Sequence, residues 1–317
     1  MSKNIYDLVI IGGGPAGLTA GIYASRARLN CLLLEKTMPG GQMLFTDMVE
    51  NFPGFSSPIK GYSLAKEMAE QAKLFGLNTK IEEAIKLAFV HQGGYHFMIE
   101  CTSKTIYRAL SLIVASGASW KRLGVPGEDT LNGKGVSYCA VCDGPLFKGR
   151  DVVVVGGGDK ALEEALYLAK FTNSVKLVHR RDRFRAIGEL QERVFENEKI
   201  TPIYDSVVSE IGGRKSVDFV KITNVKTKKI DVISCGAVFI FIGIAPNSAI
   251  LKDLVNMDEK GFVLVDERMQ TSQEGIYACG DVVRKDLYQI ANAVGEGATA
   301  AFHAQRYTER LKGNAYT

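Results

Sequence analysis

A chain of 317 residues, 46% hydrophobic and 23% charged, has the makeup of an ordinary soluble globular protein and is long enough for two domains. Its net charge of +4 is mild, and the basic residues are dispersed except between His179 and Arg185, which argues against nucleic acid or a membrane surface as the main partner. Six irregularly spaced cysteines make no disulfide framework, so a reducing, cytoplasmic setting is expected. The opening stretch MSKNIYDLVIIGGGPAG lacks the marks of a signal peptide, and no segment approaches the ~18 apolar residues of a membrane span.

Along the chain, one plan occurs twice. Asp7–Ile11 reads as a strand, GGGPAG as a tight turn, LTAGIYASRA as a helix and CLLLEK as a second strand. The same order returns as Asp151–Val155, GGGDKA, LEEALYLAKF and VKLVHRR. Gly12, Gly14 and Gly17 match Gly156, Gly158 and Ala161 at a constant offset of 144, and Glu35 and His179 each lie 18 residues beyond the third position. This is the pattern of a dinucleotide-binding βαβ unit. The first glycine permits the turn, and the second lets backbone N–H groups approach a pyrophosphate at the helix N-terminus, where unpaired donors favour anions. The third small residue lets helix and strand pack closely. A lone motif of this kind is weak evidence; two in matching context are strong.

The closing residues assign the ligands. Glu35 accepts hydrogen bonds from ribose hydroxyls and repels a 2′-phosphate, which suits FAD or NAD. The second unit ends in HRRDRFR, where the guanidinium groups of Arg180, Arg181 and Arg185 favour NADPH over NADH. Farther on, TSQEGIYACGDV places Gly280 and Asp281 after an apolar strand, where an acidic side chain can bind the ribityl chain of a flavin. YQIANAVGEGATAA then reads as a helix whose N-terminus faces the flavin ring. The expected fold is therefore α/β: two Rossmann-like dinucleotide-binding domains of the three-layer ββα type, with the NADPH domain inserted into a discontinuous FAD domain. The expected boundaries are 1–118 and 249–317 for the FAD domain and 119–248 for the NADPH domain, crossing near ASGASWKRLG and IGIAPNS.

VSYCAVCDGP carries Cys139 and Cys142 two residues apart, followed at once by Asp143. A zinc site needs four ligands. Cys31, Cys101, Cys235 and Cys279 form no second such pair, and His91, His96, His179 and His303 show no paired ligand spacing, so no metal is expected. Two inert core cysteines fit poorly with the turn signal Asp143-Gly144-Pro145. A reversible disulfide has a mechanism: thiolate character at such a pair controls its attack on another disulfide. Asp143 is placed either for proton transfer to these thiols or for turn formation or helix capping. The other cysteines read as core packing, Trp120 carries no chemistry, and Lys66, Glu67, Glu70 and Lys73 read as a solvated helix face.

The segments GGGPAG, GGQM, VENFPG, GVPGED, GVSYCAVCDG, GGGDKALEEALYL, HRRDRFRA and GIYACGDV span nearly the whole chain. In kind and order they closely resemble the low-molecular-weight thioredoxin reductases of bacteria and archaea. The resemblance implies thioredoxin-disulfide reductase activity with FAD and NADPH as cofactors, thioredoxin as protein substrate and a homodimer. It implies FAD contacts at Gly12, Gly14, Pro15, Ala16, Gly17, Glu35, Gly41, Gln42, Asn51, Gly280, Asp281, Gln289, Ile290 and Ala291. An NADPH site is implied at Gly156, Gly158, Asp159, His179, Arg180, Arg181 and Arg185. Cys139 would attack the thioredoxin disulfide, Cys142 would lie nearer the flavin, and Asp143 would be the acid–base. Serving both partners implies rotation of the inserted domain between half-reactions.

Four positions depart from the family pattern: Tyr288 where an arginine is common, Ser116 for threonine, Lys160 for Ser or Thr, and Cys279 for alanine, where a thiol near a flavin would be oxidisable. The rivals are a related flavin disulfide oxidoreductase serving a glutaredoxin-like or other dithiol partner or another electron donor, and a non-catalytic NADPH sensor. The glutathione-reductase class is disfavoured because Gly40–Gly54 contains no cysteine.

Overall fold

The computed structural model describes residues 5–46, 48–90 and 96–313; His91 lies outside them. The chain forms two compact units, one from Met1–Ser119 with Ala245–Thr317 and the other from Trp120–Ile244.

In the first unit the strand Ile5–Ile11 pairs in parallel with Cys31–Glu35 on one side and Ile106–Val114 on the other. Asn78–Ile81 extends the sheet beyond Cys31–Glu35. Along its first half Ile106–Val114 pairs antiparallel with Phe97–Cys101, and along its end it pairs in parallel with Ile276–Ala278. A strand from the last fifth of the chain thus completes a sheet begun by the first residues, which makes this unit discontinuous in sequence. A strand alternates its side chains between faces. Leu8 and Ile10 accordingly join Leu33 and the helices Pro15–Arg26, Gly61–Leu74 and Ile290–Leu311 in one core. Val9 and Ile11 join Leu32, Leu34, Phe97, Ile99, Leu251 and Val263 in another. Both faces are covered, which is why the strand reads as an unbroken apolar run.

In the second unit five parallel strands run in the order Val136–Ser137, Ala237–Phe241, Asp151–Gly156, Ser174–Val178, Ile200–Ile203. The valine run obeys the same alternation. Val152 and Val154 pack on Leu162, Ala165 and Leu168 of the helix Asp159–Ala169. Val153 and Val155 pack on Val208, Ile211, Val220 and Ile222 of an antiparallel sheet formed by Ser206–Gly212, Phe219–Asn224 and Ile230–Ser234. Helices, parallel sheet and antiparallel sheet make the three layers expected of a ββα dinucleotide-binding fold.

The long C-terminal helix lies unusually close to the first one. Ala300, Ala301 and Ala304 are buried, and a Cβ at Gly297 would fall 2.2 Å from the Ala16 carbonyl oxygen. Gly295, two residues earlier, has open space around it. Gly297→Ala should therefore destabilise the protein by about 1–3 kcal/mol through overpacking. In contrast, Gly295→Ala should stabilise it by about 0.5–1 kcal/mol through helix propensity. Urea midpoints of the two variants check this, and equal shifts would contradict the packing assigned here.

Candidate functional site

The first glycine turn is built by backbone approach. Gly12 has φ +105°, and a Cβ there would lie 2.3 Å from the Ala115 carbonyl oxygen; a Cβ at Gly17 would lie 1.9 Å from the Gly12 oxygen. Gly14 is different: the nearest atom to a Cβ would be Gly41 Cα at 3.9 Å, so its outer side is open. Gly14 caps the helix Pro15–Arg26, Pro15 opens it, and no side chain caps it, leaving the first-turn N–H groups of Ala16 and Gly17 for an anion. Gly41, with φ +58°, comes so close that a Cβ would meet Gly14 Cα at 2.9 Å, and the Gly40 N–H donates to the Gly13 oxygen (2.7 Å). The next side chain, Gln42, donates through Nε2 to the Ala118 oxygen at 2.9 Å. Glu35 closes the second strand as expected. Its Oε2 accepts the Gly13 N–H (2.7 Å) and its Oε1 the Thr37 N–H (3.1 Å), so the carboxylate faces the turn.

The C-terminal segment joins this turn. Gly280, with φ +74°, packs against Ala16, where a Cβ would sit 2.9 Å from the Ala16 methyl. Beside it, burial pushes the Asp281 carboxyl up, against the opposing pull of Lys285. Gln289 caps the helix Ile290–Leu311, placing Ile290 and Ala291 in its first turn, and Gln289 Oε1 accepts from Asn51 Nδ2 at 3.1 Å. Asn51 and Gln289, 238 residues apart, are thereby brought together.

Two residues with no assignment from sequence complete this corner. Glu296 accepts the Gly280 N–H (2.8 Å) and forms an ion pair with Lys285, whose side chain is only a tenth exposed. The sequence signal was a lone charge among small residues in AVGEGATAA. The Lys285 ammonium also lies 5.9 Å from the centre of the Tyr288 ring, which packs on Phe262 at 5.7 Å. Cys279 is fully buried in the helix-facing core, and burial pushes its thiol up, so it packs as an inert thiol. Ser116 donates to the Asn247 oxygen at 2.8 Å.

The second turn repeats the first with different chemistry. A Cβ at Gly156 would lie 2.4 Å from the Phe241 oxygen, whereas Gly158 caps the helix Asp159–Ala169 with nothing near it. Asp159 Oδ1 accepts the Ile187 N–H at 2.8 Å, and the Arg185 N–H donates to the Gly157 oxygen at 2.7 Å, folding HRRDRFR over the turn. The His179 ring lies on Gly157, where a Cβ would meet Nδ1 at 2.2 Å. His179 is 5% exposed, its Nε2 has no hydrogen-bond partner among the described residues, and burial, followed by the nearby Arg185, holds its pKa below the ordinary histidine value. Arg180, Arg181 and Arg185 are exposed. Lys160 forms an ion pair with the buried Glu164 one turn along its own helix.

The cysteines form a disulfide with Cα atoms 5.4 Å apart. Cys139 caps the four-residue helix Ala140–Asp143, its Sγ accepting the Cys142 N–H at 3.2 Å; Cys139 is half-buried and Cys142 exposed. Asp143 ends that helix and makes no side-chain capping bond, so the capping alternative is not realised. Cys31, Cys101 and Cys235 are buried, and Trp120 packs edge-on against Phe241 at 5.9 Å. Lys66, Glu67, Glu70 and Lys73 form an exposed helix face, with Lys66 and Glu70 3.7 Å apart.

With two such turns, and a Cys139–Cys142 disulfide in the same unit as the second, the chain matches the pyridine nucleotide-disulphide oxidoreductase family over residues 6–297. The chain belongs to that family. Within it the chain is an oxidoreductase of the thioredoxin reductase type. It is 44% identical over 311 residues to a thioredoxin reductase of Bacillus subtilis, covering 98% of this chain and 97% of that one. Among solved structures, a thioredoxin reductase of Lactococcus lactis superimposes with a TM-score of 0.93 at 42% identity, covering 96% and 99% of the two chains. Another, from T. acidophilum, gives 0.90 at 34% identity, covering 98% and 100%.

Two outcomes follow from the electrostatics. Glu296→Ala leaves the Lys285 ammonium buried without its carboxylate and should destabilise the first unit by about 3–5 kcal/mol, whereas a Glu296→Leu/Lys285→Met pair should recover much of that. Denaturant unfolding of the single and double variants checks it. His179 has a folded pKa below its unfolded value, so its contribution to stability is full above the ordinary histidine pKa and is lost as pH falls through the folded value. Urea midpoints from pH 8 to 5 should fall less steeply for His179→Gln than for the parent.

Proposed function

We propose that the chain is an NADPH-dependent thioredoxin-disulfide reductase, carrying electrons from NADPH through FAD and the Cys139–Cys142 disulfide to thioredoxin. The observation that carries this reading is the pair of glycine turns, each open at its second glycine, together with the Cys139–Cys142 disulfide. The first turn fits FAD: Gly14 and the uncapped helix N-terminus offer room and donors for a pyrophosphate, between Gly12, Pro15, Ala16 and Gly17 on one side and Gly41 on the other. The Glu35 carboxylate, accepting two backbone donors, keeps lone pairs for ribose hydroxyls. Asp281, with Gly280, takes the ribityl side. Gln42, Asn51 and Gln289, with Ile290 and Ala291 at the helix N-terminus, take the ring side. Bound FAD supplies a two-electron relay between nicotinamide and the disulfide.

The second turn suits NADPH. Gly156 and Gly158 admit the pyrophosphate, Asp159 ties the basic loop to the helix, and Arg180, Arg181 and Arg185 present exposed guanidinium groups for a 2′-phosphate. His179 Nε2, buried and without a partner among the described residues, is a polar atom that a ligand would satisfy. After reduction, the Cys139 thiolate attacks a thioredoxin sulfur and forms a mixed disulfide. Cys142 then displaces the second thiolate, restoring its bond to Cys139 and releasing dithiol thioredoxin. Asp143, half-buried and adjoining Cys142, takes the thiol proton during reoxidation and returns it on reduction.

Finer readings rest on the same resemblance. We infer a homodimer, in line with the half-exposed Met38 and Tyr62 that line one groove on the first unit. A cytoplasmic setting accords with four buried free cysteines. Among the described residues no helix is long and apolar enough to cross a membrane.

Turnover with thioredoxin and a disulfide dye tests this reading. Wild type should prefer NADPH strongly over NADH, and Cys142→Ser should lose thioredoxin reduction. Arg180→Ala or Arg181→Ala should lower kcat/KM for NADPH about 10–100-fold, the loss of one charge-assisted hydrogen bond, with little change for NADH. Equal use of NADH by wild type, or an active Cys142→Ser, would contradict it.

A further inference from the structure

The segment Leu123–Glu128, LGVPGE, has no part in either nucleotide turn, yet it is built around a buried charge. Glu128 is 2% exposed. Its Oε1 accepts the Leu123 N–H (2.8 Å) and its Oε2 the Gly124 N–H (2.6 Å). Gly124, with φ +72°, and Gly127, with φ +90°, let the chain double back on its own carboxylate. Gly127 also lies against the antiparallel sheet: a Cβ there would fall 1.7 Å from the Ile211 oxygen, and the Ile211 N–H donates to the Pro126 oxygen at 2.9 Å. The loop is therefore a fixed platform.

A third donor reaches Glu128 from the redox segment. Tyr138, the residue before Cys139, donates its hydroxyl to Glu128 Oε1 at 2.5 Å. Burial pushes the Glu128 carboxyl up, but the donors outweigh it and hold it below the ordinary range; burial and Glu128 together push the Tyr138 hydroxyl up. The bond is thus a charge-assisted one between a fixed carboxylate and a protonated phenol. One residue earlier, Ser137, held in the parallel sheet opposite Phe239, accepts the Cys139 N–H (3.0 Å) and donates to the Cys139 oxygen (3.1 Å). Cys139 is gripped through both preceding residues, while Cys142 is exposed.

We propose that Glu128 is a positioning residue for the cysteine pair, holding Tyr138 and with it the backbone at Cys139 where the two sulfurs meet. The physical consequence concerns effective concentration. Closing the disulfide from two thiols loses less entropy when one sulfur is already held in place, so the grip favours the disulfide over the dithiol. Loosening it should shift the couple toward the dithiol, making the pair easier to reduce and a weaker donor. The inference rests on Cys139–Cys142 being a working redox couple.

The test uses the holoenzyme, equilibrated without oxygen in glutathione buffers, then acid-quenched, alkylated and digested, with the Cys139–Cys142 peptide weighed. In the reaction followed, two protein thiols and oxidised glutathione give the intramolecular disulfide and two reduced glutathiones. Tyr138→Phe, which keeps the ring and removes only the hydroxyl, should lower the equilibrium constant for disulfide formation about tenfold, equivalent to about 30 mV for a two-electron couple. Glu128→Gln, which retains one carbonyl acceptor for Tyr138, should fall between wild type and Glu128→Ala. A Tyr138→Phe constant within about twofold of wild type, even with a lowered melting temperature, overturns the proposal, since a purely structural bond would change stability alone. A wild-type pair that does not exchange with glutathione at all overturns the redox reading and this inference with it.

Discussion

The site in the first unit depends on backbones meeting where no Cβ intervenes. Gly12 against Ala115, Gly17 against Gly12 and Gly297 against Ala16 each bring a carbonyl within about 2.3 Å of where a methyl would be. The first contact bends the chain sharply at the strand end. The second seats the helix on that strand, and the third draws the C-terminal helix onto the first. Together they bring residues from both ends of the chain, Gly14 and Gly280 among them, to one helix N-terminus. Gly14 alone among these glycines is left open, and that opening is what a pyrophosphate requires.

The second unit uses the same constraint for another ligand. Gly156 meets Phe241 as Gly12 meets Ala115, and Gly158 is open as Gly14 is. What differs is the residue ending the second strand. A carboxylate that accepts the turn's own N–H stands in one unit, and an imidazole lying flat on the turn stands in the other. Burial, followed by the nearby Arg185, lowers the pKa of that imidazole, and its buried Nε2 has no partner among the described residues. Two otherwise matched turns thus differ in electrostatic character, the contrast on which the proposed assignment of FAD to one and NADPH to the other rests.

Much of this was legible in the sequence because turn glycines, valine runs and the closing residues are local signals. The offset of 144 between the motifs reflects two units with the same strand–turn–helix geometry. Less legible were contacts that join distant segments: Asn51 with Gln289, and Glu296 with Gly280 and Lys285, depend on how the last helix lies on the first. Glu128 carries no local signal either, since its partner Tyr138 sits ten residues on. Lys160 shows the opposite limit: its neighbour Glu164 was four residues away, yet only the burial of Glu164 reveals that the pair closes within the helix. Cys279, which the small and apolar residues around it mark as core packing, is buried in the helix-facing core.

As an NADPH-dependent disulfide reductase the chain would hold two coupled two-electron stores, a flavin and the Cys139–Cys142 disulfide. Anaerobic titration of the flavin-loaded protein with NADPH tests it most directly. Wild type should take up about two equivalents per chain before excess NADPH accumulates, and Cys139→Ser/Cys142→Ser about one, since each couple holds two electrons. An identical uptake of one equivalent by both proteins would contradict the account.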